Sequence, residues 1–139
     1  MKLKGRTISK GYAEGEAVVS TINFSFLGDV DVESGVIVAD DSNIKEMSIK
    51  NKIFVFPSGR GSTVGTYILL RMKKINTAPK AIINIETEPI IAVGAIIAEI
   101  PLLDKLMLDN KPVNPLNYIK SGDYVKVNAT EGWVEINGD

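Results

Sequence analysis

Between Ile53 and Ile85 the chain reads as a buried strand, a glycine-rich turn, a helix and a second buried strand, and few architectures accommodate that unit. Ile53-Phe54-Val55-Phe56 is a continuous apolar run stopped by Pro57, the pattern of a strand covered on both faces. Pro57-Ser58-Gly59-Arg60-Gly61-Ser62 follows. Thr63 to Lys74 then carries apolar residues at 64, 68, 72 and 75, a helical spacing, with Ser62 placed where an N-cap belongs. Asn76, Thr77 and Pro79 end the helix, and Lys80-Ala81-Ile82-Ile83-Asn84-Ile85 supplies the second strand. A helix joining two buried strands predicts a parallel crossover and the α/β class.

The flanks are read around this unit. The first forty residues alternate in short runs punctuated by Gly11, Gly15, Gly28 and Gly35, which predicts short strands and turns, including Glu16–Ile22 and Val36–Val38. Phe24 to Asp31 sets two aromatics beside a glycine turn and reads as a structured loop, and Asp40 to Asn51 as a surface connection. Ile90-Ile91-Ala92-Val93 predicts another strand, with Gly94 to Ala98 opening a short helix. Pro101 to Leu106 predicts a further short element. Tyr124–Val127 and Trp133–Ile136 predict a C-terminal hairpin around Gly132. With 139 residues, 45% of them apolar, the expectation is one globular domain over residues 1–139.

Charge excludes several roles. The 16 basic and 17 acidic side chains nearly cancel, so the chain lacks the field that draws a protein to nucleic acid or anionic lipid, and neither is an expected partner. The apolar run Ile90 to Ile100 is too short to cross a bilayer, and Met1 to Lys10 has no apolar stretch of the secretory kind, so the expected location is cytoplasmic. The chain contains no cysteine and no histidine. Thiolate chemistry, a cluster ligated by this chain and any histidine-based catalytic group are therefore excluded within it.

The turn at Pro57–Ser62 is the segment suited to chemistry. A turn from a buried strand into a helix aims unpaired backbone amides and the positive end of the helix dipole at one spot, where an anion is favoured. Gly59 and Gly61 permit close backbone approach, Arg60 offers a planar fork for carboxylate or phosphate, and Ser62 presents a hydroxyl. Ser58, Gly59, Arg60, Gly61 and Thr63 are the candidate substrate contacts. The loop is neither a Walker A motif nor a dinucleotide fingerprint. Spacing alone slightly favours a structural cap for Ser62, because a serine nucleophile or base needs activation that this chain cannot draw from histidine. Asp29, Asp31, Glu33, Glu86 and Glu88 read as solvated turns, and no metal is assigned to them. Tyr12, Phe24, Phe26 and Trp133 read as core or interface packing rather than stacking platforms.

Five ordered motifs together resemble the small subunit of the aconitase X family. They are Gly11–Ala17, Phe24–Gly28, Phe56–Ser62, Pro79–Asn84, and Ile91–Ala95 with Ala98–Pro101, and they span nearly the whole chain. The resemblance implies a swivelling β/β/α domain, like the mobile fourth domain of aconitases, that closes over a large catalytic subunit carrying a 4Fe-4S cluster. It implies a hydro-lyase inactive without that partner. Ser62, which ends the Pro-x-Gly-x-Gly-Ser motif, would be the base that removes a proton beside the substrate carboxylate. The implied substrate is a phosphorylated hydroxy acid, mevalonate 5-phosphate, dehydrated to trans-anhydromevalonate 5-phosphate in isoprenoid biosynthesis. Related chains serve a cis-3-hydroxyproline dehydratase, and a non-catalytic anion-binding module is the alternative from another class. Two departures stand out: Gly28 is followed by Asp29 and an altered turn to Gly35, and a histidine that many members carry before the Phe-Pro motif is missing.

Overall fold

A computed structural model describes residues 1–137. In chain order the elements are β1 (Lys2–Ser9), β2 (Tyr12–Val19), β3 (Val30–Asp31), β4 (Val36–Ile37), β5 (Ile53–Phe56), α1 (Gly65–Lys74), β6 (Ala81–Asn84), α2 (Pro89–Ala98), β7 (Leu102–Leu108), β8 (Lys111–Pro112), a 3-10 turn (Pro115–Asn117), β9 (Tyr124–Asn128) and β10 (Trp133–Ile136). Eight strands form one sheet in the order β1-β10-β9-β2-β5-β6-β7-β8, and β1 also pairs with β7, so the sheet closes into a barrel. β2, β5, β6 and β7 are parallel neighbours, and the remaining pairings in this sheet are antiparallel. The expected class, mixed α/β, is what the chain forms.

Alternation along the central strands explains their unbroken apolar runs. Ile53 and Val55 of β5, with Ala81 and Ile83 of β6, join Leu3, Leu103, Val125 and Val134 inside the barrel. Phe54, Phe56 and Ile82 face the other way and pack with Leu69 and Met72 of α1 and Ile91 and Ala95 of α2. A strand with core on both faces has no polar position to spare.

Several expectations are corrected. Ile90–Val93 is not a strand but the first turns of α2, because Pro89 occupies the first helical position and Glu88 caps it; a four-residue apolar run carries no period of its own. Helix α1 begins at Gly65, with Val64 at the N-cap and no side-chain cap, rather than after a Ser62 cap. The Asp40–Asn51 connection is anchored: Ile44 and Ile49 are buried and Ser48 bridges to Val36. The strand expected at Glu16–Ile22 runs instead over Tyr12–Val19, and an eight-residue β1 precedes it. The crossover β5–α1–β6 and the hairpin β9–β10 form as expected, the hairpin through four register pairs. No helix among the described residues is long and apolar enough to cross a membrane.

Candidate active site

The Pro57–Val64 loop leaves the C-terminal end of β5 and is clamped at once to the segment before β3. Phe24 N donates to Ser58 O at 3.0 Å and Arg60 N donates to Phe24 O at 3.0 Å, a short parallel bridge between Phe24 and Gly59. The clamp rests on aromatic packing. The ring of Phe24 lies 4.9 Å from Phe26, 4.8 Å from Phe54 and 5.6 Å from Phe56, so all four phenylalanines of the chain gather beneath the loop. Edge-on pairs at these separations are favourable beyond the area they bury. Gly61 then turns with φ +91°, a conformation that glycine adopts without steric cost.

Ser62 stands half-buried after that turn. Its Oγ accepts from Val64 N at 3.2 Å and its carbonyl accepts from Gly65 N at 3.2 Å, so the hydroxyl belongs to the turn before α1 and does not cap the helix proper. No carboxylate or lysine among the described residues hydrogen-bonds to it. Ser62 lines a narrow cleft of about 10 Å³ with Ser25, Gly61, Gly65, Glu88 and Ile90. The N-termini of both helices meet at this cleft: Thr66 Oγ1 donates to Ile90 O at 2.8 Å, joining their first turns. α1 has no acidic residue in its first turn and three basic residues in its last, leaving its positive end uncompensated.

Arg60 differs from its expected open fork. Nε and Nη2 donate to Asp29 at 3.2 and 3.3 Å, and Nη1 and Nη2 donate to Asp41 at 3.0 and 3.2 Å. These hydrogen bonds, Asp41 first, push the guanidinium pKa above its ordinary value, and those from Arg60 lower that of Asp41. The two carboxylates are unequal. Asp29 has a side chain only 14% exposed and also accepts from Ser25 N at 2.8 Å, whereas that of Asp41 is 60% exposed.

The other candidates are distributed as follows. Thr63 is exposed and lines a neighbouring depression with Thr66, Tyr67 and Val93 rather than the Ser62 cleft, the Ser58 carbonyl is turned toward Phe24, and Gly59 lies against Glu88. Asp31 binds Ser34, Glu33 pairs with Arg71, Glu86 with Lys105, and Glu88 caps α2, so these acids do not converge. No three metal-ligating side chains come together among the described residues, and without cysteine or histidine the site does not fit an iron–sulfur cluster. Tyr12 lies outside the core, exposed and bonded to Glu14, while Trp133 lies under Lys2 at 4.1 Å.

Sequence reasoning missed Asp41 and the cap at Glu88. The second carried a signal, an acceptor side chain followed directly by proline at the first helical position. Asp41 carried none, because its pairing with Arg60 depends on the path of the whole 38–50 connection.

Beside the cleft the two helices expose an apolar face. Tyr67 is 72% exposed, Val93 46% and Ile97 56%, and α2 contains no charged or polar side chain at all. A helix apolar all round is normally covered on all sides.

The model of the aconitase X swivel domain matches residues 2–136. The phosphomevalonate dehydratase small subunit of Methanosarcina acetivorans is 54% identical over 136 residues, covering 98% of this chain and 91% of that protein. That of Archaeoglobus fulgidus is 52% identical and covers 98% of both. The crystal structure of Thermococcus kodakaraensis aconitase X in its holo-form superposes with a TM-score of 0.89 at 49% identity over 98% of each chain. Fold, loop and relatives agree, and the chain belongs to the aconitase X swivel-domain family.

Proposed function

We propose that the chain is the small subunit of a phosphomevalonate dehydratase, a cytoplasmic hydro-lyase that removes water from mevalonate 5-phosphate to give trans-anhydromevalonate 5-phosphate. The observation that carries this reading is the 54% identity, over 98% of the chain, to a small subunit of that name. Ser62 is the base. The proton leaves the carbon next to the substrate carboxylate for Ser62 Oγ, and the amide-rich start of α1 favours the negative charge that an active oxygen there must carry. Ser58, Gly59, Gly61 and Thr63 border the anionic end of the substrate. Arg60 reaches it by exchanging the outer carboxylate, Asp41, for the substrate's anion while keeping Asp29.

The 4Fe-4S cluster and the departing hydroxyl fall to the large subunit, since this chain offers no thiolate or imidazole ligand. The same subunit supplies whatever activates Ser62, and it seats on the apolar face formed by Tyr67, Val93 and Ile97, which borders the cleft. The test is anaerobic co-expression with the large subunit, followed by assay of each chain alone and of the pair. Dehydration by the pair only, lost in a Ser62→Ala pair that still assembles, is the expected result. A stable pair inert on mevalonate 5-phosphate would move the substrate to another hydroxy acid, and normal turnover by Ser62→Ala would overturn the base.

A further inference from the structure

Glu88 does more than cap a helix. Its Oε2 accepts from Ile90 N at 2.9 Å and its Oε1 from Ile91 N at 2.6 Å, which satisfies two of the free amides at the start of α2. Serine, asparagine or aspartate would do this with a shorter side chain, and all are preferred caps. The extra length of glutamate brings the side chain against Gly59. A Cβ at Gly59 would stand 2.6 Å from Glu88 Cγ and 2.7 Å from its carboxyl carbon, which leaves room for glycine alone. Gly59 is the residue bridged to Phe24 and lies three positions before Ser62.

The backbone that presents Glu88 is tied down at both ends. Ile85 N donates to Pro57 O at 2.9 Å, and the buried Asn84 Nδ2 donates to Phe56 O at 3.0 Å, so the β6–α2 connection grips the root of the serine loop. Thr87 Oγ1 donates to Asn84 Oδ1 at 3.2 Å, and Thr87 N donates to Asp104 Oδ2 at 2.7 Å. Asp104, wholly buried, is held in turn by Arg6 through Nε at 2.8 Å and Nη2 at 2.7 Å. Glu88 thus stands on a rigid support with its side chain trapped between two amides and a glycine. A side chain held in this way resists displacement, and the loop is seated against it.

We propose that Glu88 is a positioning residue for the reaction: by walling Gly59 it sets where the loop places Ser62, an inference that rests on Ser62 being the base. A cycle of variants in the assembled two-subunit enzyme tests it. Gly59→Ala should lower kcat on the order of 100-fold, by far more than it raises KM and with assembly little changed, as expected for a small displacement of a reacting group. Glu88→Ala, which removes the wall, should cost about 10-fold. The double variant should be no worse than Glu88→Ala, because the added methyl then has room. Glu88→Asp keeps a preferred cap but withdraws the carboxylate, and it should lower kcat without lowering Tm. Glu86→Gln, at the exposed pair with Lys105, is the unaffected control.

Multiplying losses in the double variant, or wild-type kcat in Glu88→Asp, would overturn the proposal and leave Glu88 a cap. A second readout needs no turnover. In the nitrogen-labelled full chain, Gly59→Ala should shift the amide resonances of Ser62, Ile90 and Ile91 together; shifts confined to residues 58–60 would also overturn it. The base assignment fails separately, through an active Ser62→Ala pair, with this coupling intact.

Discussion

Arg60 grips Asp29 edge-on, with Nε 3.2 Å from Oδ2 and Nη2 3.3 Å from Oδ1, and the pair ties the serine loop to the turn at Gly28. Asp29, in that turn, supplies the carboxylate that orients the arginine of the loop, with Asp41 held on the outer side of the same fork.

This inequality yields a kinetic expectation. If substrate displaces Asp41, Arg60→Ala raises KM by roughly 10- to 100-fold, the scale of a lost charge-assisted hydrogen bond, with a smaller effect on kcat. Asp41→Asn weakens the internal competitor and lowers KM by about two- to threefold. Steady-state kinetics on the assembled pair decide it, and an Asp41→Asn pair with raised KM would exclude the exchange.

Packing under the loop gives a second expectation. Phe24 is buried among three other rings, so Phe24→Ala costs about 3–5 kcal/mol through lost transfer energy and the cavity left behind. The same truncation at exposed Tyr67 stays within about 0.5 kcal/mol. Urea unfolding of the two variants measures the contrast.

Asp104 sets a pH dependence. Burial alone would raise its carboxyl pKa, but the hydrogen bonds from Arg6 and Thr87 outweigh that, and the folded-state value lies below the ordinary one. A depressed folded pKa contributes stability above the unfolded value and loses it as pH falls through the folded value. Acid should therefore destabilise the wild type progressively from the usual aspartate range downward. Asp104→Asn loses about 2 kcal/mol at neutral pH, and its stability falls less steeply in that window. Denaturant midpoints taken across acid pH test both statements, and an unchanged slope in the variant would show that other carboxylates carry the effect.

The apolar face gives the last expectation. Val93→Asp and Ile97→Asp should leave the isolated chain folded, since both side chains are about half exposed. Each should weaken association with the large subunit by about 2 kcal/mol, roughly 30-fold in Kd. Titration of labelled small subunit with its partner reads this directly, and wild-type affinity in both variants would place the interface elsewhere.

Much of the scaffold was legible in the sequence because its signals are local. The run Ile53–Phe56, the stop at Pro57, the 3.6-residue spacing after Ser62 and the second run at Ala81–Asn84 each encode one element, and their order implies the crossover. The serine loop was legible for the same reason. The Ile90–Val93 segment was misread because four successive apolar residues satisfy either period, and the choice was made by Glu88 and Pro89 just upstream.

What the sequence determined by itself was the α/β unit, the loop at its centre and the exclusion of every cysteine or histidine mechanism from this chain. Those follow from residue type and spacing alone. Tertiary structure decided the rest. Closure of the barrel by β1 against β7, the hold of Asp29 and Asp41 on Arg60 and the contact of Glu88 with Gly59 all join residues far apart in the chain. No local pattern encodes such pairs, because their energy exists only once the sheet has brought the segments together.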